Sequence, residues 1–382
     1  MSKVEFSRGL EGVIVAETGI CSIDGAKGKL YYRGYHIEDL LQERDFEDVS
    51  FLLYFGELPT TVQRNMFCEF LCKTRVIPQT LIDAVQRMPR SLHPMEVMQS
   101  LVPMLTNVPV DMSSVQKLFS DFGLDGDSCG RDLALISQIG CLTSMVYRSY
   151  HGKSIILPHD SLGHAANMLY MMSGKTPTQN ETKAFDQCLS LHAEHGFNAS
   201  TFTARVVAST LAPTVSAVSA GYGALFGPLH GGANEKVMQM VAAIASPEHT
   251  ETWIKQRLKN KEKVMGLGHR VYKTRDPRAN AIETLLEVVS EEHNNTTNIT
   301  ILRIIEKVVR ENLGDKPIHV NVDFFSGSVY EQLGIPPTFY TPMFGAARVS
   351  GWIAHVREQR SDNRIYRPGA LYIGPTPRNV TL

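Results

Sequence analysis

Between Val206 and Asn234 the chain reads VVASTLAPTVSAVSAGYGALFGPLHGGAN, without one Asp, Glu, Lys or Arg, and how this run is read decides the fold. It is long enough to span a bilayer. Its residues argue otherwise: Ala, Ser, Thr and Gly dominate and Pro213 lies inside, so its mean hydropathy is well below that of a Leu/Ile/Phe span. A helix apolar all round in a soluble protein belongs in a core or a subunit interface, where small side chains let another backbone approach. A buried helix over 202–226 is expected, with no membrane partner.

The run ends in Gly227-Pro-Leu-His230-Gly-Gly-Ala-Asn234-Glu235, which presents one histidine on bare backbone. The flanking glycines permit positive φ and close approach of a ligand, and Pro228 stiffens the entry. Asn234 is a good N-cap for the periodic apolar pattern that follows. His230 then precedes a helix N-terminus, whose positive end disfavours an imidazolium. A neutral, hydrogen-bond-donating histidine is the chemical expectation; a turn whose histidine merely caps or packs is the alternative.

The remaining sequence bounds the partners. With 20% charged residues and a formal net charge of -1, nothing advertises nucleic acid or anionic lipid. Cys21, Cys68, Cys72, Cys129, Cys141 and Cys188 form no CxxC pair, as suits a reducing compartment. Met-Ser-Lys-Val-Glu-Phe carries no targeting signal, so a cytoplasmic location is expected. Short β-rich runs at 13–16, 20–23 and 30–32, punctuated by Asp24-Gly25 and Gly28, predict a small hairpin. Elsewhere the periodicity is helical, including 131–150, 178–195, 234–245, 277–292, 324–333 and 338–359, which makes the protein all-α apart from that hairpin. Gly174-Lys-Thr lacks the leading glycine and strand of a phosphate-binding loop, and Gly221-x-Gly223 and Gly266-x-Gly268 lack a third glycine.

Two further helix starts carry chemistry. In Gly266-Leu-Gly-His269-Arg-Val-Tyr-Lys273-Thr-Arg275-Asp276-Pro-Arg278, Asp276 is a natural N-cap and Pro277 a natural first helical residue. Arg278 in the first turn opposes the helix dipole by about 0.3 to 1 kcal/mol, so either it points into solvent or an anion joins it. The loop is built for carboxylate or phosphate, or is a solvated basic face. In Val320-Asn-Val-Asp323-Phe-Phe-Ser-Gly327, Asp323 reads as an ionised N-cap or, among apolar neighbours, as a carboxylate strengthened as a base by desolvation. His192 and His195 are i, i+3 rather than the i, i+4 of HExxH, and no metal is expected.

Together these stretches resemble the citrate synthase family, which includes the 2-methylcitrate synthases. The resemblance extends to Tyr32-Arg-Gly-Tyr35, His93-Pro-Met, Phe197-Asn-Ala-Ser-Thr-Phe-Thr-Ala-Arg205 and Arg364-Ile-Tyr-Arg-Pro368, and so covers nearly the whole chain. It implies a two-domain, almost wholly helical homodimer. Residues 1–226 and 327–382 would form the large domain, 227–326 a small domain closing over the substrates, and the C-terminal segment would reach the partner. It also implies His230 beside the thioester carbonyl, Asp323 as the base taking the methyl proton, and His269 polarising the ketone of oxaloacetate. His195, Arg278, Arg348 and, from the partner subunit, Arg367 would bind oxaloacetate. Lys263, Val264, Met265, Gly266 and Leu267 would line CoA, with Lys273 for its phosphate. No cofactor is implied beyond acetyl-CoA or propionyl-CoA as substrate.

One position departs from the family. Its members usually carry Glu after the histidine of His-Glu-x-Asn, where this chain has Gly196 in His195-Gly-Phe-Asn198. Gly196 is either a structural stop for the helix ending near 195 or a charge given up beside the oxaloacetate histidine. Three functions follow: citrate synthase, 2-methylcitrate synthase, and a catalytically weak paralogue binding CoA or a dicarboxylate.

Overall fold

The computed structural model describes residues 6–112, 115–268, 271–313, 318–376 and 378. It is mostly helical, with one three-stranded antiparallel sheet near the N-terminus formed by Cys21–Asp24, Lys29–Tyr32 and Tyr35–His36. The hairpin pairs Cys21 with Tyr32 and Asp24 with Lys29. A third strand extends the expected hairpin, and the run at 13–16 forms no strand.

Helix Tyr340–Ser361 is the centre of the molecule. Nearly every side chain from Tyr340 to Val356 is buried, so its apolar pattern has no polar face to set a periodicity. Helices Phe46–Phe55, Gly126–Tyr150, Gln179–His192, Ala199–Ser209 and Thr214–Leu225 pack around it. The last two replace the single helix expected over 202–226. The break falls where Leu211 takes a left-handed φ of 65° and Pro213 caps the next helix; a proline cannot continue the first helix and is well placed to begin a second. Among the described residues no helix is long and apolar enough to cross a membrane.

A second group of helices packs largely on itself: Ala233–Ile244 and Pro277–Glu292 against Asp323–Gln332, and Pro247–Lys259 against Thr297–Leu313. It meets the first group where Pro277–Glu292 lies on Gln179–His192 and where Ala233–Ile244 touches Tyr340–Ser361. The sheet leans on the same seam. The Gly25 carbonyl accepts the Lys273 N–H at 2.9 Å, and a Cβ on Gly25 would stand 2.3 Å from the Val271 carbonyl oxygen.

Candidate active site

His230 lies in the turn before helix Ala233–Ile244, which begins one residue earlier than expected with Gly232 as its N-cap. Asn234 is the second helical residue and its side-chain oxygen accepts only the next N–H, that of Glu235. None of Gly227, Gly231 and Gly232 has a positive φ. The need here is closeness: a Cβ on Gly231 would stand 2.5 Å from the Leu225 carbonyl oxygen.

The helix end that governs His230 is a different one from that expected. Asn198 caps helix Ala199–Ser209 by accepting the Thr201 N–H at 3.0 Å. The Ser200 N–H, one of the donors a helix start leaves unpaired, points at His230 Nε2 at 3.3 Å, with Ser200 Oγ at 2.9 Å. A backbone N–H can only donate, so Nε2 accepts and the ring proton sits on Nδ1. Burial, assisted by the Arg348 charge, lowers the His230 pKa to about 4. At neutral pH His230 is uncharged, with its Nδ1–H as a donor.

Asp323 is the first residue of helix Asp323–Gln332; Val322 occupies the N-cap position and no side-chain cap is made. The ionised N-cap reading is therefore set aside. The residue is half-buried, but its Oδ1 is buried with no hydrogen-bond partner. Burial raises its pKa to about 6, Asp276 adding to the rise while Arg278 and Arg348 oppose it. Such a carboxylate is ionised at neutral pH and more basic than a solvated one.

The two arginines differ. Arg278 is buried and engages the N-cap Asp276 through Nε at 3.1 Å and Nη2 at 2.8 Å. The anion expected beside it thus comes from the chain two residues earlier. Burial works against its charge, but Asp276 more than compensates and holds the guanidinium protonated. Arg348 is only 1% exposed, donates from Nε to the His192 carbonyl at 2.7 Å, and has no carboxylate in ion-pair contact among the described residues. Its Nη1 is buried without a partner. The guanidinium lies over the Phe344 ring at 4.8 Å, and His230 packs on that ring with centroids 6.5 Å apart.

The other expected residues divide. His195 Nε2 meets the Tyr272 hydroxyl at 3.2 Å, which ties it to the loop before Arg278. His192 is a core residue, its Nδ1 donating to the Cys188 carbonyl at 2.7 Å. His269 lies outside the described residues. Gly266, Leu267 and Gly268 run beside 319–321: the Asn321 N–H donates to the Gly266 carbonyl at 3.0 Å, and the Gly268 N–H to the His319 carbonyl at 2.7 Å. The stretch from Lys263 to Leu267 is thereby fastened to the entry of Asp323. Lys263 and Lys273 are exposed, whereas Arg275 is committed to Glu283 at 2.6 Å and Glu306 at 3.0 Å and is structural. Arg367 is not brought to this group within the chain. It is exposed, reaches only the Pro368 carbonyl at 3.1 Å among the described residues, and lines a separate cavity of about 1100 Å³ between the N-terminal segment and the C-terminal residues.

Sequence reading missed Asp276 as the partner of Arg278, although a capping carboxylate two residues before an arginine can reach it. It missed Ser200, Tyr272 and Trp352 altogether. The Trp352 Nε1–H donates to Ser200 Oγ at 3.3 Å, a contact between residues far apart in the chain that no local pattern announces. Among the described residues no three His, Cys, Asp or Glu side chains stand together as metal ligands. The assembled groups are a neutral imidazole donor, a carboxylate of raised basicity and a buried guanidinium with no carboxylate in ion-pair contact among the described residues. They suit removal of a weakly acidic proton beside a carbonyl, in a substrate held by a second, anionic one.

The family description "Citrate synthase, C-terminal domain" matches residues 9–369. A citrate synthase of Acidithiobacillus ferridurans is 39% identical over 99% of this chain and 98% of its own. A 2-methylcitrate synthase of Shewanella oneidensis is 38% identical over 97% and 96%. The crystal structure of citrate synthase from Pyrobaculum aerophilum superposes with a TM-score of 0.89 at 36% identity, covering 98% of this chain and 93% of that one. A ternary complex of citrate synthase from Thermoplasma acidophilum with carboxymethyl coenzyme A and oxaloacetate gives 0.89 at 32% identity, covering 99% and 98%. On this evidence the chain belongs to the citrate synthase family, as an acyltransferase of that type.

Proposed function

We propose that the enzyme condenses oxaloacetate with acetyl-CoA and water to give citrate and free CoA. Asp323 takes a proton from the acyl methyl group while His230 donates its Nδ1–H to the thioester oxygen, on which charge develops. A thioester α-proton is too weakly acidic for a carboxylate alone, so base and fixed donor act together. The resulting enol attacks the ketone of oxaloacetate, polarised by His269. Water then cleaves the thioester. Arg278, Arg348 and His195 hold the dicarboxylate, and the stretch from Lys263 to Leu267, with Lys273, holds CoA. The observation that carries this reading is the pairing of a buried, ion-pair-free Arg348 with an Asp323 whose buried Oδ1 has no hydrogen-bond partner and whose pKa is raised.

The assembly belongs to the same reading. Residues 227–326 act as a small domain closing on the large one, and a cytoplasmic homodimer delivers Arg367 to the partner's site. The exposure of Arg367 supports that placement. In a heterodimer of Arg367→Ala and Asp323→Asn chains, action in trans leaves one intact site and roughly half the wild-type activity per dimer. No recovery in verified heterodimers contradicts it.

2-Methylcitrate synthesis from propionyl-CoA is the second reading, favoured by the Shewanella oneidensis relative. One extra methyl in a pocket is worth about 1 to 3 kcal/mol, so the two activities can coexist. Release of free thiol from acetyl-CoA and propionyl-CoA, each with and without oxaloacetate, tests the proposal. Oxaloacetate-dependent release, faster with acetyl-CoA, is expected. A faster propionyl-CoA reaction selects the second reading, and release from neither leaves a binding protein.

A further inference from the structure

One face of helix Tyr340–Ser361 carries Arg348, Gly351 and His355, all buried, and the half-buried Glu358, spaced three, four and three residues apart. Glu194, the residue before His195, lies against this face and is fully buried. Its Oε1 accepts the Gly196 N–H at 2.5 Å and meets His355 Nε2 at 3.0 Å. The tautomer of His355 follows from its other nitrogen, which faces Arg205 Nη1 at 3.1 Å. A guanidinium can only donate, so His355 Nδ1 accepts and Nε2–H donates to Glu194. Arg205 is itself fixed by Glu358 at 2.6 Å.

Glu194 Oε2 is buried with no partner, as is Arg348 Nη1. Oε2 packs where a Cβ on Gly351 would stand, 2.4 Å from it, one turn beyond Arg348. A glycine is needed there for the carboxylate to fit. No ion pair joins Glu194 and Arg348, yet after burial itself the Glu194 charge is the strongest influence on that guanidinium and helps keep it protonated.

We propose, on the functional reading given above, that Glu194 is a positioning residue for the dicarboxylate end of the site. Its carboxylate balances Arg348 from beyond ion-pair distance, leaving Nη1 for a carboxylate of oxaloacetate, and holds the backbone at Gly196 next to His195. The carboxylate missing at position 196 thus has a counterpart two residues earlier, placed behind the arginine rather than beside the substrate. The cost is repulsion between Glu194 and the bound dianion, which tempers its affinity.

Glu194→Gln keeps the acceptor for the Gly196 and His355 N–H groups and removes only the charge. Calorimetric titration with oxaloacetate should show about tenfold tighter binding than wild type, the order expected for removal of one buried like charge facing the same guanidinium at an effective dielectric of about 20. KM for oxaloacetate should fall with it while KM for acetyl-CoA does not, and Glu194→Asp should bind as wild type does within about threefold. A merely structural role predicts weaker binding. Unchanged or weaker oxaloacetate binding by folded Glu194→Gln overturns the assignment, whereas wild-type protein that binds no oxaloacetate overturns the functional reading and this one with it. Should Glu194→Gln alone fail to fold, the double variant Glu194→Gln/Arg348→Met, with both charges gone, should fold and give a cooperative melt. Its failure to fold also overturns the counter-charge role.

Discussion

Asp276 and Asp323 both stand at helix starts and are neighbours, since Asp276 Oδ2 accepts the N–H of Val322 at 3.3 Å. Asp276 is saturated. Besides that bond it receives the Arg278 backbone N–H at 3.0 Å and two guanidinium donors. Asp323, one position inside its helix, has a buried Oδ1 that receives nothing, and its pKa climbs to about 6. The difference is donor supply. A carboxylate given several N–H groups is a structural anchor, while one denied them in a buried place keeps the basicity that chemistry can use.

The sharpest way to break this contrast is to neutralise each residue in turn. Asp323→Asn should lower kcat by about 10³-fold, within the range for loss of a positioned general base, while oxaloacetate still binds. Thiol release within about threefold of wild type would return Asp323 to a structural role.

Stability should respond the other way round. Asp276→Asn strips Arg278 of its buried partner and should cost about 3 kcal/mol, read as a lower denaturant midpoint at unchanged m-value. Asp323→Asn should instead stabilise at pH 8. A carboxylate whose folded pKa, about 6, exceeds its ordinary value of 3.8 destabilises the fold above that pKa, and the penalty fades as pH falls through 6 toward 4. The gain of Asp323→Asn over wild type should therefore shrink across that window. A loss equal to that of Asp276→Asn contradicts the comparison.

Gly196 offers the smallest effect. The helix expected to end near 195 is Gln179–His192, so Gly196 is not its stop, yet its φ of +60° is left-handed. Gly196→Glu should cost about 1 kcal/mol for that backbone, without a clash, since a Cβ would stand 3.5 Å from Ile23 Cδ1. A lower melting temperature with no gain in oxaloacetate affinity is expected. Tighter binding at unchanged melting temperature would revive the reading of a charge given up for tuning.

What was legible in the sequence was local. Asp276 with Pro277 marked a helix start correctly, and Gly174 ends helix His164–Ser173 at φ 83°. The break at Leu211 was missed because small apolar residues give the same pattern on either side of it. Asp323 was ambiguous because the burial that raises its pKa and leaves its Oδ1 without a donor comes from tertiary packing. His230 was expected to be neutral because of the helix it precedes, whereas burial and Arg348 lower its pKa and the Ser200 N–H, brought near by packing, fixes its tautomer. Residue types were readable where the chain turns, and their protonation only where helices meet.

The account rests on Asp323 as the base, and its most direct test is the pH dependence of kcat/KM for oxaloacetate-dependent thiol release between pH 4.5 and 9. An acidic limb with a midpoint near 6 is predicted, because activity needs the ionised carboxylate while His230, at about 4, stays neutral throughout the limb. That midpoint should scarcely move with temperature, as carboxyl ionisation does not. A midpoint at the ordinary carboxylate value, or one that drifts with temperature like an imidazole, contradicts the assignment.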